Sequence, residues 1–182
     1  IRKALYKAEI MMLNKSYRSG YEITELAKSI SGNSEIEVVE RHTEMPQLIE
    51  VKNKEAENRL MQDMISAEDV NNPTSTAYIF KLEKDAIAFF ETLGDLQKKT
   101  TLLVSGCQAF TNGIVITTPH MAKGLEFDEV IIPNVTKLNY NDEMDKSLLY
   151  IACTRAMHSL RMIFSGEKTE FINNALCEIK KK

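Results

Sequence analysis

The sequence predicts an α/β protein in which a parallel sheet is flanked by helices, and two observations carry this. Short apolar runs alternate along the chain with longer amphipathic stretches, the order that βαβ units impose. Hydrophobic residues make up 43% and charged residues 27% of 182, which is enough apolar material for a buried core in a folded domain. The whole chain, 1–182, is accordingly expected to form a single domain.

The first helix is expected over 19–31, SGYEITELAKSIS. There Ile23, Leu26, Ala27 and Ile30 recur at three- and four-residue spacing behind Ser19 as the capping residue. Strands follow at 36–40 (IEVVE) and 48–52 (LIEVK). A second helix, 54–70, ends before the turn sequence NNPTST. TAYIFKL, 76–82, leads directly into a third helix, 83–97, whose Ala86, Phe89, Phe90 and Leu93 form one face. Strands are then expected at 100–106 (TTLLVSG), 113–119 (GIVITTP) and 128–135 (DEVIIPNV). The polar stretch 134–145 connects strand to helix, a place where parallel sheets put functional loops; a solvated turn would have the same composition. A fourth helix, 142–158, carries Leu148, Leu149, Ala152 and Ala156 as its buried stripe, and SLRMIFSG, 159–166, is the last strand. An amphipathic segment, 168–179, is expected to pack on the sheet ahead of a basic tail.

Composition narrows the function classes. The formal net charge is −3, so no global basic field is available for non-specific nucleic-acid binding, and any such contact has to be local. The longest apolar runs, such as VIIP and LLYIAC, are far too short to span a bilayer, and IRKALYKAE at the start has no secretory pattern. A cytoplasmic protein with no membrane contact is expected. Cys107, Cys153 and Cys177 are odd in number and widely separated, which argues against a disulfide framework and against a metal site. They read as small buried side chains. The chain starts at Ile1 without methionine, which fits a fragment of a larger protein.

No GxxxxGK[ST] phosphate loop occurs; the nearest imitation, GEKT at 166–169, lacks the upstream glycine and the Gly-Lys step. Asp128 and Glu129 precede the apolar run VIIP, whereas the magnesium-holding acids of such nucleotide sites follow theirs. A nucleotide would therefore find only part of a site here.

Three segments then stand out together. LNKSYRS, TTPHMAKGLEFDEVIIPNV and LLYIACTRAMHSL resemble motifs four, five and six of superfamily 1 helicases of the UvrD/Rep type, in the family's order. The resemblance runs from about Leu13 to Phe164, and ACTRAMH with its DKSLLY lead-in looks most like the branch associated with bacterial RNA polymerase. It implies a RecA-like domain of the P-loop NTPase type, the second of two. The phosphate loop, and the ligands of the Mg2+ that accompanies ATP, would then lie on an N-terminal RecA-like domain of the same chain. The family's large helical subdomain is missing, because GCQAFTNG bridges its place directly.

By the same resemblance, Arg155 is the arginine finger and Arg18 the second γ-phosphate contact. Tyr17 stacks on adenine, Glu126 contacts the ribose, and Gly124 allows close backbone approach. Thr118 and His120 touch single-stranded DNA, and Lys123 serves either the strand or the nucleotide. The function implied is the C-terminal motor domain of an ATP-dependent DNA helicase or translocase, inactive without its partner domain. Two rivals accompany it: an ATP-driven remodelling factor that binds RNA polymerase, and a stand-alone α/β nucleotide-binding protein.

Overall fold

The strands foreseen between residues 48 and 166 line up as one parallel sheet. The computed structural model describes residues 15–16, 18–32, 37–38, 41–68, 74–106 and 113–172. Two short strands, β1 (Lys15–Ser16) and β2 (Glu37–Val38), pair in parallel beside α1 (Tyr21–Ser31). The main sheet draws on β3 (Gln47–Val51), β4 (Thr76–Ile79), β5 (Thr100–Leu103), β6 (Ile114–Thr117), β7 (Phe127–Ile132) and β8 (Ala156–Ser165). Their order across the sheet is β3-β8-β7-β4-β6-β5, and each neighbouring pair is parallel. Helices α2 (Lys54–Ala67), α3 (Glu83–Glu91) and α4 (Glu143–Cys153) supply crossovers.

Burial on both faces explains why the strands read as continuous apolar runs rather than as alternation. Every residue of β4 and β6 is buried. Alternate side chains go to opposite cores. On one face Ala77, Ile79, Val130 and Ile132 pack with Ile23, Leu26, Ala27 and Ile30 of α1 and with Leu149 and Ala152 of α4. On the other, Tyr78, Phe80, Ile116 and Ile131 pack with Met61 and Ile65 of α2 and with Ala86 and Phe89 of α3. The two helical stripes expected for α1 and α3 are therefore the buried ones.

Several boundaries differ, each for a physical reason. The expected helix 142–158 stops at Cys153, and residues from Ala156 onward, His158 included, belong to β8. The pairing of Phe127 with Ala156 captures a segment whose apolar spacing suits either structure. The third helix ends at Glu91 and continues from Gly94 as a tighter 3-10 turn, Gly94 having a positive φ of 53°. Within 168–179 the described residues, 168–172, form a β-bridge from Lys168 to Thr136 and one 3-10 turn, Glu170–Ile172; residues 173–179 lie outside the described residues, as do 69–70 of the second helix and 36, 39 and 40 of the first expected strand.

Ser19 is not the cap of α1. That position is Gly20, which has no side chain to make a capping bond, while the Ser19 hydroxyl donates to Ala156 O at 2.6 Å. The backbone approaches so closely here that a Cβ on Gly20 would lie 2.0 Å from Thr43 Oγ1 and 2.6 Å from Thr43 Cβ. Gly20→Ala is therefore expected to destabilise the fold by about 1–3 kcal/mol, the cost of overpacking. A fall in thermal midpoint, roughly 2–4 °C per kcal/mol for a chain of this size, would register it.

Candidate functional site

The residues singled out in the sequence gather at two opposite edges of the sheet. At the edge where β7 and β8 begin, the end of α4 delivers Arg155 directly into the start of β8. Arg155 N donates to Ala152 O at 3.1 Å, and its carbonyl accepts from Phe127 N at 3.0 Å. The residue is 8% exposed, and its guanidinium meets only neutral acceptors. Nε donates to Ile151 O at 3.2 Å, Nη1 to Leu125 O at 3.3 Å and Nη2 to Thr154 Oγ1 at 3.3 Å. Ile151 O belongs to the last turn of α4, where unsatisfied carbonyls give partial negative charge. No ion pair among the described residues includes Arg155.

Arg18 lies beside it. Its Nε donates to Glu126 Oε1 at 2.5 Å, with the two side chains 37% and 44% exposed. Burial and the neighbouring Arg18 charge push the Arg155 guanidinium below its ordinary value, while Glu126 and Tyr150 pull the other way. At this edge the Glu126 carboxylate is bonded to Arg18 alone and acts on Arg155 only through space. Tyr17, the expected adenine contact, lies outside the described residues.

Asp128 and Glu129, which the sequence sets aside as magnesium acids, both face basic side chains, and Glu129 is in an ion pair. Asp128 Oδ1 faces His158 Nε2 at 3.6 Å, and Glu129 Oε1 accepts from Arg161 Nη1 at 2.9 Å. Burial raises the Glu129 carboxyl above its ordinary value, against the pull of Arg161. These residues line a groove of about 520 Å3 with His42, Glu44 and Ser159.

Thr118 and His120 belong to the opposite edge, just past the end of β6. Thr117 pairs with Ile79, and Tyr78 with Ile131, so the end of β6 lies level with the end of β7. Segment 118–126 then returns to the start of β7. It crosses the depth of a six-residue strand, roughly 20 Å. Thr118 is buried and accepts from Ala122 N at 2.9 Å through its carbonyl, while His120 and Lys123 are exposed. Ala122 anchors the crossing in the α1/α4 core. Gly124, at φ 90° with open space around it, completes the turn where a side chain would be strained.

The same edge holds residues the sequence reading passed over. Lys81, next to the end of β4, forms a buried ion pair with Asp145 of α4, donates to Asn139 O, and lies 5.5 Å above the Tyr140 ring. A charge closing the apolar run TAYIFKL was the available signal. Beside it, Asn134, Thr136, Leu138 and Gly166 border a groove of about 550 Å3, with Leu138 93% exposed. Within GEKT, Thr169 is buried and donates to Tyr140 O at 2.8 Å, a structural bond rather than a phosphate-loop contact. Cys153 is buried and free, its thiol pushed up to about 12 by burial; Cys107 and Cys177 lie outside the described residues.

The model of the UvrD-like helicase C-terminal domain matches residues 113–163, from the start of β6 to near the end of β8. A solved structure, the C-terminal domain of a possible DNA helicase from Lactobacillus plantarum WCFS1, is 31% identical. Its match covers 88% of this chain and 96% of that one, with a TM-score of 0.70. The chain belongs to the UvrD-like helicase C-terminal domain family. Its sheet is accordingly a helicase RecA-like fold, and the matched stretch contains both crossing 118–126 and Arg155. More distant likenesses reach the C-terminal domain of the DEAD-box protein Dbp5 (16% identity, 75% of this chain and 83% of that one, TM-score 0.49). An Arterivirus helicase, nonstructural protein 10, solved with DNA, matches at 11% identity over 79% of this chain and 31% of its own, with a TM-score of 0.48. No curated protein matches the chain. No helix among the described residues of the UvrD-like domain is long and apolar enough to cross a membrane.

Proposed function

We propose that this UvrD-like domain is the C-terminal motor domain of an ATP-dependent superfamily 1 DNA helicase or translocase. The observation that supports it most is Arg155: a buried guanidinium held by three neutral acceptors, with no carboxylate of its own, beside Arg18. A buried charge without a counterion is costly, and an anion arriving from a facing domain would offset that cost. The planar fork of arginine suits a phosphate that gains charge during transfer. In this reading Arg155 is the arginine finger and Arg18 the second γ-phosphate contact. Tyr17 stacks on adenine, Glu126 reaches the ribose, and Gly124 keeps the backbone close. Catalysis then consists of positioning and charge stabilisation across the cleft.

Among the described residues no cluster of His, Cys, Asp or Glu could hold a metal ion. By the family resemblance, the Mg2+ that accompanies ATP would be held, with the phosphate loop, on an N-terminal RecA-like domain. At the far edge, His120 and Lys123 contact single-stranded DNA from the crossing that Thr118 begins. The length of the crossing gives coupling a path: movement at Glu126 on cleft closure is carried through 118–126 to the strand grip.

ATP turnover by the full-length protein, stimulated by single-stranded DNA and absent from residues 1–182 alone, is the test. Turnover by these residues alone at the full rate would sink the reading. On the nucleic-acid side, Lys123→Ala is expected to weaken single-strand binding without sequence preference. If Lys123 meets one phosphate, the slope of log affinity against log salt should flatten by about 0.7.

A further inference from the structure

Three consecutive residues touch both arginines. Leu125 O accepts from Arg155 Nη1 at 3.3 Å, Phe127 N donates to Arg155 O at 3.0 Å, and between them the Glu126 carboxylate takes Arg18 Nε at 2.5 Å. Residues 125–127 thus set the spacing of two like charges that would otherwise repel. Phe127 is fully buried in the core, so this bracket is fixed to the sheet, while Arg18 and Glu126 remain partly in water.

From this geometry we infer that Glu126 is a positioning residue that acts through Arg18: it holds that guanidinium beside Arg155 and offsets one of the two positive charges at the nucleotide edge. The inference rests on the nucleotide-site reading above and goes beyond a ribose contact, because only Oε1 is engaged by Arg18. Removing the charge should then have two effects of opposite benefit. The edge becomes more positive, so ATP in its ground state is held more tightly. Arg18 loses its orientation, so the transferring phosphate is served less well.

The test is Glu126→Gln in the full-length protein, with ATP turnover measured under saturating single-stranded DNA. Glutamine keeps an acceptor oxygen for a ribose hydroxyl but loses the charge. KM for ATP and kcat should both fall, each by about two- to fivefold, the scale of a partly exposed ion pair. In an Arg18→Met background the same change should leave kcat where Arg18→Met alone puts it, because residues acting through one another are not additive. A raised KM for ATP with kcat unchanged, together with an unchanged KM for 2′,3′-dideoxy-ATP, would confine Glu126 to the ribose contact and overturn the inference. Unchanged constants, or a kcat loss that multiplies with that of Arg18→Met, would overturn it as well. Failure of the parent reading looks different: Arg155→Ala would leave turnover intact whatever Glu126 does.

Discussion

Arg155→Ala in the full-length protein is expected to lower ATP turnover at least about a hundredfold, since in the arginine-finger role proposed for it such a residue contributes on the order of 10³ to 10⁵ in kcat. The loss should appear without unfolding. The Arg155 guanidinium bonds only Ile151 O, Leu125 O and the Thr154 hydroxyl, so its removal strands no carboxylate in the interior. A buried charge taken away without orphaning a partner is tolerated far better than half of an ion pair. The backbone links that carry the site, Phe127 N to Arg155 O and Arg155 N to Ala152 O, do not depend on the side chain. Arg155→Lys should be nearly as slow, because an ammonium is a point charge without the fork that reaches several phosphate oxygens. Steady-state turnover and a thermal melt on the same preparations separate chemistry from stability. A wild-type rate in the alanine variant would remove Arg155 from the mechanism.

The fold was legible because a parallel sheet buried on both faces leaves long apolar runs with helices between them, and the runs at 76–82 and 113–119 contain strands buried at every position. Residues around 154–158 were not, since ACTRAMH suits a helix by its spacing and becomes strand only through pairing with β7, a contact some 30 residues away in sequence. Ser19 shows the same limit: a serine before a helix reads as a cap, yet its hydroxyl is spent on Ala156 O. In the site, the motifs brought together Arg18, Glu126 and Arg155 from three separate parts of the chain. They did not show that Thr118 and His120 stand at the opposite edge, because strand register fixes that and residue order does not. Nor did they show that Thr118 is buried, or that Lys81 and Asp145 join under the loop.

That last pair carries the largest expected effect on stability. Asp145 of α4 takes Lys81 as a buried ion pair and accepts from Asn141 N at 3.0 Å, while its own N–H donates to the Asp142 side chain that caps the helix at 2.8 Å. Lys81 in turn donates to Asn139 O and lies over the fully buried Tyr140 ring. Asp145→Ala removes the carboxylate but leaves the ammonium of the half-buried Lys81 in place, and breaking a buried pair from one side costs at most about 3–5 kcal/mol. At roughly 2–4 °C per kcal/mol for a chain of this size, the thermal midpoint should fall by on the order of 10 °C. Lys81→Met should cost less, because Asp145 would keep its backbone donor and the apolar stem would still cover Tyr140. The pH dependence follows from the carboxyl. Burial alone would raise it, but Lys81 and the backbone N–H groups of Asn141 and Asp142 outweigh burial and hold it below its ordinary value of 3.8. A group depressed in the folded state stabilises above its unfolded value and loses that contribution as pH falls through its folded one. The difference in stability between wild type and Asp145→Ala should therefore be full at neutral pH and shrink below about pH 4. Urea titrations at neutral and acidic pH measure it, and a gap that persists undiminished at low pH would show that the loss comes from packing or helix capping rather than from the ion pair. Because α4 runs from Asp145 to the turn that carries Arg155, the variant should also blunt stimulation of ATP turnover by single-stranded DNA at temperatures where it remains folded.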